Sequence, residues 1–284
     1  MVHPIEHLRY VARAHGVDAG ALVEETAHAL GSLHFDPSGL VVACRRIVER
    51  HPFGGPLWWL CSNVVTSSEP FEAVWELAEA VRADPTPSEL ADALPEPPIA
   101  ASLDAEREPS TDVITIGDPS VVGAGLARRG DVRVLAIDVD HSATSFVRRL
   151  ERYDVEYEPV DAGAAGAAVG AASIVLVEAL AVDATRAVVP IGSSTVAGLG
   201  TAFGVPVWLV AGLGRRLPTT YIDAMVDRYG ELAAEIDPWS VDVEVIPTSL
   251  CTHVVGPHGV APLGPPALQP ECPHAAELLV RSPT

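Results

Sequence analysis

Hydrophobic positions in the first third of the chain repeat at helical spacing. Four segments carry apolar residues at i, i+3 and i+4, namely 8–15, 20–30, 40–50 and 71–83. Short breaks containing Gly, Pro or Asp separate them, and Ser67 and Ser68 precede the last segment as candidate helix caps. The pattern predicts an N-terminal helical domain over residues 1–92.

The pattern changes after residue 92. Residues 93–112 are rich in Pro and acidic residues and show no periodicity, which predicts a linker. Beyond it, short runs rich in Val and Ile alternate with segments of helical length. The runs are 113–116, 132–138, 155–160, 173–180, 187–191 and 205–210, with further strands expected at 241–247 and 251–256. This alternation predicts an α/β domain over 113–262, with a Rossmann-like parallel sheet covered by helices, before a Pro-rich tail at 263–284.

Residues 188–212, VVPIGSSTVAGLGTAFGVPVWLVAG, contain no charge. The two Val-rich ends predict central strands of the sheet, and the middle predicts a crossover helix buried between the sheet and a partner surface. Leu199 and Phe203 are four residues apart and therefore share one helical face. We expect both side chains to be buried, with Ser193 to Thr195 at the N-terminal end of the helix.

Composition excludes several classes of function. The net charge of −20 disfavours nucleic acid and anionic membranes as direct partners, since phosphate groups select for basic surfaces. All 18 basic residues are Arg, so no lysine is present for a P-loop, a Schiff base or pyridoxal phosphate. The first residues do not resemble a signal peptide, and no segment is uniform enough to span a bilayer. We expect a cytoplasmic protein with reduced cysteines.

Candidate site residues follow from the predicted sheet. Ligands of open parallel sheets bind beyond the carboxyl ends of the strands, where helix N-termini also lie. The candidates at these positions are Gly117, Asp118, Ser120, Asp138, Asp140, Glu178, Gly192, Ser193, Ser194 and Thr195. We expect the strand ends to form the one sizeable pocket, lined by members of this set.

The chemistry of these candidates has alternative interpretations. The hydroxyls at 193–195 suit a phosphate or a sugar, but serine is equally the usual helix cap. Asp138 resembles the ribose-binding acid of dinucleotide folds, although GDPSVVGAG is not a GxGxxG motif. The carboxylates could converge on a divalent cation, or could cap helices and face solvent. The histidines and cysteines form no ligand pattern, and no GxSxG motif is present, so we expect no metal and no cofactor.

Five segments, in order, resemble one known family. VITIGDPSVVGAGL is similar to its THSxSSTVLxAL turn, VRVLAIDVDHS to its ESRP strand end, and SIVLVEALAV to VIVGADAI. The uncharged segment is similar to VxNKIGTxxxAxxAxxxxVPFYV, and VEVIPTSLCTHVVGPHG to xVxPxxLVTxIITExG. The family is the initiation factor 2B alpha/beta/delta family, which includes methylthioribose-1-phosphate and ribose-1,5-bisphosphate isomerases. The resemblance implies a homodimer formed through the C-terminal domain and a small phosphorylated metabolite as ligand.

The chain departs from the isomerases of that family at the positions that carry chemistry. Their cysteine in the first turn falls on Gly117, and their acid falls on Leu180. The arginine of ESRP falls on Asp140, and the Asn-Lys pair falls on Val189 and Pro190. A proton-shuttling isomerase needs an acid and a base at the sugar carbons and cations for the phosphate. The resemblance therefore favours a non-catalytic protein that binds or regulates.

Two functions remain open from the sequence. The first is a non-catalytic initiation factor 2B-like protein, related to translation initiation, with a sugar-phosphate or nucleotide ligand. The second is a divergent aldose–ketose isomerase of sugar phosphates that uses other acids, such as Asp118 and Glu178. Cations for a phosphate would have to come from an arginine distant in sequence, such as Arg186, Arg215 or Arg216.

Overall fold

The computed structural model describes residues 19–31, 37–97, 110–139 and 143–280. Within them the N-terminal part is helical, as predicted, and the segment expected at 8–15 lies outside. The helices are α1 (Ala19–Gly31), α2 (Pro37–Arg50), α3 (Gly55–Thr66), α4 (Pro70–Arg82) and α5 (Thr86–Ala93). Prolines stand in the first turns of α3, α4 and α5, where the missing N–H costs no hydrogen bond.

The second part of the chain forms an α/β fold around a mostly parallel sheet. In the described residues this sheet has seven strands in the order β10-β9-β7-β4-β1-β2-β3, and only β10 runs antiparallel to its neighbour. The strands are β1 (Thr111–Ile116), β2 (Val132–Asp138), β3 (Glu156–Asp161), β4 (Ile174–Glu178), β7 (Val207–Val210), β9 (His253–Gly256) and β10 (Gly259–Pro262). The predicted class, a helical part followed by a Rossmann-like sheet, is confirmed.

Helices cover both faces of this sheet. They are α6 (Ser120–Leu126), α7 (Ala143–Arg152), α8 (Ala165–Ala171) and α9 (Ser193–Phe203). A further helix, α10 (Thr219–Glu235), packs instead in a core with the N-terminal helices. Val122 of α6 and Phe146 of α7 pack on one face, whereas Val169 of α8 and Val196 of α9 pack on the other. Because successive side chains of a strand point to opposite faces, the two faces have separate apolar cores.

The run at 187–191 does not lie in the parallel sheet, so that expectation is wrong. It forms β6 (Arg186–Pro190) in an antiparallel sheet of order β5-β6-β8, with β5 (Ala181–Val182) and β8 (Val243–Pro247). Asp183 causes the reversal, because its carboxylate accepts hydrogen bonds from Thr185 N at 2.8 Å and Arg186 N at 2.7 Å. Burial opposes the charged form, but these hydrogen bonds outweigh it and lower the pKa of Asp183.

The predicted burial of α9 is only partly correct. The residues that face the sheet are Ser193, Val196, Ala197 and Gly200, at i, i+3, i+4 and i+7. Leu199 and Phe203 lie beside this stripe, so Leu199 is half-buried and Phe203 is 54 % exposed. The expectation that Phe203 is buried is therefore wrong for the single chain.

The helical part and the α/β part share one apolar core. The ring of Trp58 on α3 packs against that of Tyr221 on α10, with centroids 5.0 Å apart and the rings tilted by 39°. Ser62 Oγ lies 2.8 Å from the Tyr221 hydroxyl. The C-terminal segment closes this core, since the buried Cys272 and Leu278 pack into it. Burial raises the pKa of Tyr221. None of the described helices is both long and apolar enough for a membrane span.

Candidate functional site

A buried ion pair lies at the carboxyl end of β4. Glu178 Oε1 is 2.8 Å from Arg215 Nη2, and the two side chains are 6 % and 4 % exposed. Arg215 follows β7, the strand next to β4, and also donates to the carbonyl oxygen of Ala179. The strand order thus places the guanidinium group of Arg215, which is distant in sequence, directly beside Glu178.

Further donors complete the surroundings of Glu178. Val122 N donates to Oε2 at 2.9 Å, and Ser120 donates to Oε1 from its backbone N at 3.3 Å and from Oγ at 3.2 Å. These groups belong to the first turn of α6, whose N–H groups have no partner within the helix. A buried charge is tolerated only when it is paired and hydrogen-bonded, and Glu178 meets both conditions.

A small pocket of about 210 Å³ lies beside this ion pair, between the helical part and the sheet. Ser120 and Arg215 line it from the α/β part, and Arg82 and Asp84 from the helical part. Arg82 is paired with Glu24 at 3.0 Å and with Glu79 at 2.5 Å. The volume is below the roughly 300–1,000 Å³ of typical ligand sites, so the pocket suits a small ligand.

The helical part packs closely on the segments around this pocket. A Cβ added to Gly55 would lie 2.2 Å from the carbonyl oxygen of Leu180, which leaves room only for glycine. Gly214, with a φ of 81°, packs against Pro56 and Trp59, where an added Cβ would be 3.2 Å from either residue. Leu180 thus lies under α3 as a partly buried apolar residue of the shared core.

Asp118 bonds to α7, and Asp138 ends β2, which is two strands from β4 in the sheet order. Asp118 forms an ion pair with Arg149 and accepts a hydrogen bond from Ser145 Oγ at 2.8 Å, both on α7. Asp138 ends β2 and is in register with Asp161 of β3. Gly117 has a φ of 72°, the left-handed conformation that glycine adopts without strain, and it turns the chain after β1.

The start of α9 is occupied by a carboxylate. Ser194 donates from N to Glu244 Oε1 at 2.6 Å and from Oγ to Glu244 Oε2 at 2.8 Å. Ser193 Oγ donates to the carbonyl oxygen of Pro190 at 2.7 Å, and Thr195 is exposed. Gly192 has a φ of 88°, and a Cβ there would lie 2.8 Å from Ile116 Cδ1. Glu244, on β8, places negative charge at a helix end that favours it.

The expectation of one sizeable pocket at the strand ends is wrong. Asp118 is held to α7 on one face of the sheet, whereas Ser193 begins α9 on the opposite face. Of the ten candidates, Ser120 lines the 210 Å³ pocket, and its hydroxyl donates a hydrogen bond to Glu178. Asp140 lies outside the described residues. A larger cavity of about 530 Å³ lies between α2, α3 and α10. The ligand-binding role of each candidate stays a prediction.

The sequence interpretation missed Arg82 and Glu244, and treated Arg215 only as a distant cation. The signal for Arg215 was its place in AGLGRRL, directly after the strand 205–210. Arg215 reaches Glu178 because β7 pairs with β4, and this pairing cannot be read from the sequence pattern. Long-range pairing therefore decides which charges meet at the site.

Metal binding and thiol chemistry find little support in the described residues. No group of three His, Cys, Asp or Glu side chains in that part of the chain is arranged to hold a metal ion. Cys44, Cys61, Cys251 and Cys272 are buried thiols. Burial raises the pKa of Cys251 and of Cys272 to about 12, and a hydrogen bond from Cys44 together with burial raises that of Cys61. Such thiols are poor nucleophiles because the thiolate is the reactive form.

Comparison with known proteins shows the fold. No family model and no curated protein matches the chain. Among solved structures, the translation initiation factor eIF-2B of Pyrococcus horikoshii OT3 superposes with a TM-score of 0.70 at 15% identity, covering 94% of this chain and 98% of that one. The tetrameric eIF2B-beta2-delta2 complex from C. thermophilum gives 0.63 at 14% identity, covering 91% and 90%.

An enzyme has the same fold. The 5-methylthioribose 1-phosphate isomerase of Pyrococcus horikoshii OT3 gives a TM-score of 0.59 at 14% identity, covering 93% of this chain and 85% of that one. The chain thus has the architecture shared by initiation factor 2B subunits and this isomerase, as the sequence motifs indicated. At this identity the likeness concerns the fold alone.

Proposed function

We propose that this chain is a non-catalytic, initiation factor 2B-like protein that binds a small phosphorylated metabolite and has a regulatory role. The observation that carries the proposal is the buried Glu178–Arg215 pair at the strand ends. The ligand is held in the 210 Å³ pocket beside that pair, and the protein acts in the cytoplasm.

The charges of the site support binding over catalysis. Interconversion of an aldose and a ketose needs a group that takes a proton from one sugar carbon and a group that protonates the other oxygen or carbon. Gly117 and Leu180, which stand where the similar isomerases have a cysteine and an acid, cannot ionise. Glu178 has its oxygens engaged by Arg215 and the first turn of α6. Both oxygens of this carboxylate are therefore bonded to groups of the protein itself.

The pocket favours a sugar phosphate over a nucleotide. Arg82 and Arg215 line it from opposite sides, and a guanidinium group binds phosphate through paired hydrogen bonds. A base and a ribose together would exceed about 210 Å³ of space, whereas a small sugar phosphate suits it better. Arg82 is the more exposed of the two cations, so it is the one that can exchange a carboxylate for a ligand phosphate.

Thermal-shift and calorimetric titrations with pentose phosphates and nucleoside monophosphates test this proposal. We expect a sugar phosphate to raise the Tm of the wild type, and Arg82→Gln to abolish most of that shift. Arg228→Gln, which removes a surface guanidinium outside this pocket, is the matched control. Equal loss in both variants, or no shift with any sugar phosphate, would contradict binding here. Protein-dependent isomerisation, lost on heating, would instead favour the divergent isomerase.

We also propose a homodimer formed through α8 and α9. Their outer surface carries small uncharged residues and the exposed ring of Phe203, although the chain has a net charge of −20. Apolar patches without charge mark association surfaces on soluble proteins. The oligomeric complex with the same fold supports this proposal.

Analytical ultracentrifugation tests the dimer. Phe203→Asp should give a monomer, because it places a charge at the centre of the uncharged surface. Trp239→Asp changes another aromatic residue, 77 % exposed and far along the chain after α10, and should leave the dimer intact. A wild type that is monomeric at high concentration would refute the proposal.

A further inference from the structure

Helix α1 forms one wall of the 210 Å³ pocket. Ala19 and Gly20, in the first turn of this helix, line it. Glu24 comes four residues after Gly20 and therefore lies on the same helical face, next to the pocket. Its Oε1 is 3.0 Å from Nε of Arg82, which lines the pocket from α4. A carboxylate of the chain thus binds a guanidinium group that the pocket would offer to a ligand.

Of the two guanidinium groups that line this pocket, that of Arg82 is the one that can change partners. Arg215 is 4 % exposed, pairs with Glu178 and donates to a backbone carbonyl oxygen. The side chains of Arg82 and Glu24 are 54 % and 34 % exposed, so water reaches both of them. An exposed ion pair contributes little to stability. A ligand anion can therefore replace the carboxylate of Glu24.

A phosphate that binds Arg82 has to displace a carboxylate. A guanidinium group binds phosphate through two parallel N–H groups, either Nε with Nη2 or Nη1 with Nη2. Glu24 accepts from Nε at 3.0 Å, and Glu79 accepts from Nη1 at 2.5 Å. Each pair of donors is therefore already engaged by one carboxylate, and a ligand binds Arg82 by exchange.

Glu24 is the carboxylate that opposes such an exchange most directly. Its hydrogen bond with Arg82 is the largest cause that raises the pKa of this arginine. Asp84 also lines the pocket, but its oxygens accept hydrogen bonds from Thr86 N and Leu213 N, both at 2.9 Å. Those backbone groups hold Asp84 in place, whereas Glu24 is bonded to the group that the ligand needs.

The backbone of α1 keeps Glu24 beside the pocket. Val23 and Leu30 of this helix are fully buried in the core shared with the other N-terminal helices. At the end of the helix, a Cβ added to Gly31 would lie 2.5 Å from Cζ2 of Trp75 on α4, so α1 and α4 are in close contact. Only the side chain of Glu24 has to move when a ligand enters. Its local concentration at the guanidinium group therefore stays high.

We propose that Glu24 is an intramolecular competitor that regulates the metabolite pocket, an inference that rests on the proposed binding of a sugar phosphate there. Without ligand, Glu24 holds Arg82. A phosphate binds only at a concentration that overcomes this contact, and its arrival releases the carboxylate. Glu24 thus lowers the affinity of the pocket and sets the metabolite concentration to which the protein responds.

Isothermal titration of the full chain with ribose 5-phosphate at low salt tests this inference. We expect Glu24→Gln to bind the ligand about two- to five-fold more tightly than the wild type, because the ligand no longer has to break an exposed ion pair. Glu72→Gln is the matched control. It removes the same charge from an exposed residue of α4 that lies ten residues, or about 15 Å along the helix, from Arg82, and it should change the Kd by less than about 1.5-fold.

D-Ribose, which lacks the phosphate, separates competition for Arg82 from a change in the shape of the pocket. Its affinity should be the same for the wild type and Glu24→Gln. Equal tightening of ribose and ribose 5-phosphate, or equal tightening by Glu72→Gln, would overturn the inference.

The same titrations distinguish failure of this inference from failure of the metabolite site. Binding that Arg82→Gln abolishes and Glu24→Gln leaves unchanged would overturn the role of Glu24 and leave the site standing. Absence of ribose 5-phosphate binding to the wild type and to Glu24→Gln alike would overturn both proposals. Binding to Glu24→Gln alone would support both, with Glu24 as the stronger competitor.

Discussion

Removal of one partner of the Glu178–Arg215 pair should destabilise the fold far more than removal of both. At 2.8 Å and an effective dielectric constant of about 20, the attraction is about 6 kcal/mol, but taking each ion out of water costs several kcal/mol. The pair itself therefore contributes little net stability. Arg215→Met leaves the carboxylate buried without its cation, and we expect it to lower the free energy of unfolding by about 3–5 kcal/mol.

The double variant Glu178→Gln/Arg215→Met tests this reasoning. The glutamine amide oxygen can take the place of one carboxylate oxygen and accept from Val122 N, while its NH2 group takes the place of the other and can donate to Ser120 Oγ. No buried charge then remains. Urea unfolding of the wild type, the two single variants and the double variant should show that the double variant is more stable than Arg215→Met, with a coupling energy of about 2–3 kcal/mol.

The exposed pair Arg228–Glu231 is the control for this cycle, and its coupling should be only about 0.2–1 kcal/mol. If Arg215→Met loses less than about 1 kcal/mol, water reaches Glu178 and the site is not closed as described. If the two single losses simply add, the residues do not act as a pair.

Other predictions concern packing and titration. Phe146→Ala should lower the free energy of unfolding by about 3–5 kcal/mol because the ring is fully buried. Phe203→Ala should change that free energy by less than about 1 kcal/mol in the isolated chain, because the ring is 54 % exposed. Equal losses in thermal unfolding would show that Phe203 is as buried as Phe146. Gly55→Ala should destabilise the folded state, because the added Cβ would collide with the Leu180 carbonyl oxygen. Gly230→Ala should stabilise it by up to about 1 kcal/mol, because Gly230 lies in α10 with open space around it. The reverse order in urea unfolding would show that α3 does not pack on Leu180. Burial raises the pKa of the Cys251 thiol from 9.0 to about 12, so between these pH values the folded state keeps a proton that the unfolded state releases. This contribution to stability is full below about pH 9 and is lost as the pH rises toward 12. Cys251→Ala should therefore make the free energy of unfolding, measured across this range, depend less on pH.

The sequence predicted the strands well because a buried strand needs a continuous run of β-branched residues. It did not predict which sheet a run joins. The run at 187–191 has the composition of a central parallel strand, yet the hydrogen bonds of Asp183 reverse the chain before it. One polar residue in a turn thus overrides the pattern of the strand that follows.

The candidate site was predicted in part for a related reason. Glu178 follows from its position at a strand end, and it lies in the buried pair at the site. Its partner depends on the β4–β7 neighbour relation, and the separation of Asp118 from Ser193 depends on which face each helix covers. These relations join residues far apart in the chain, so local periodicity could not reveal them. Phe203 was wrongly predicted to be buried, because two apolar residues on one helical face do not indicate whether that face packs on the sheet or faces outward.

The shared core has a consequence for synthesis of the protein. The N-terminal helices pack against Tyr221, and the C-terminal residues Cys272, Ala275 and Leu278 complete the same core. A nascent chain emerges N-terminus first, so the ribosome must synthesise the chain through Leu278 before α3 can bury its tryptophans completely. Until then Trp58 and Trp59 remain exposed apolar surface, which is the kind of surface that chaperones bind and that drives aggregation. Translation speed and chaperone supply should therefore affect the yield of this protein more than that of one whose N-terminal helices fold by themselves.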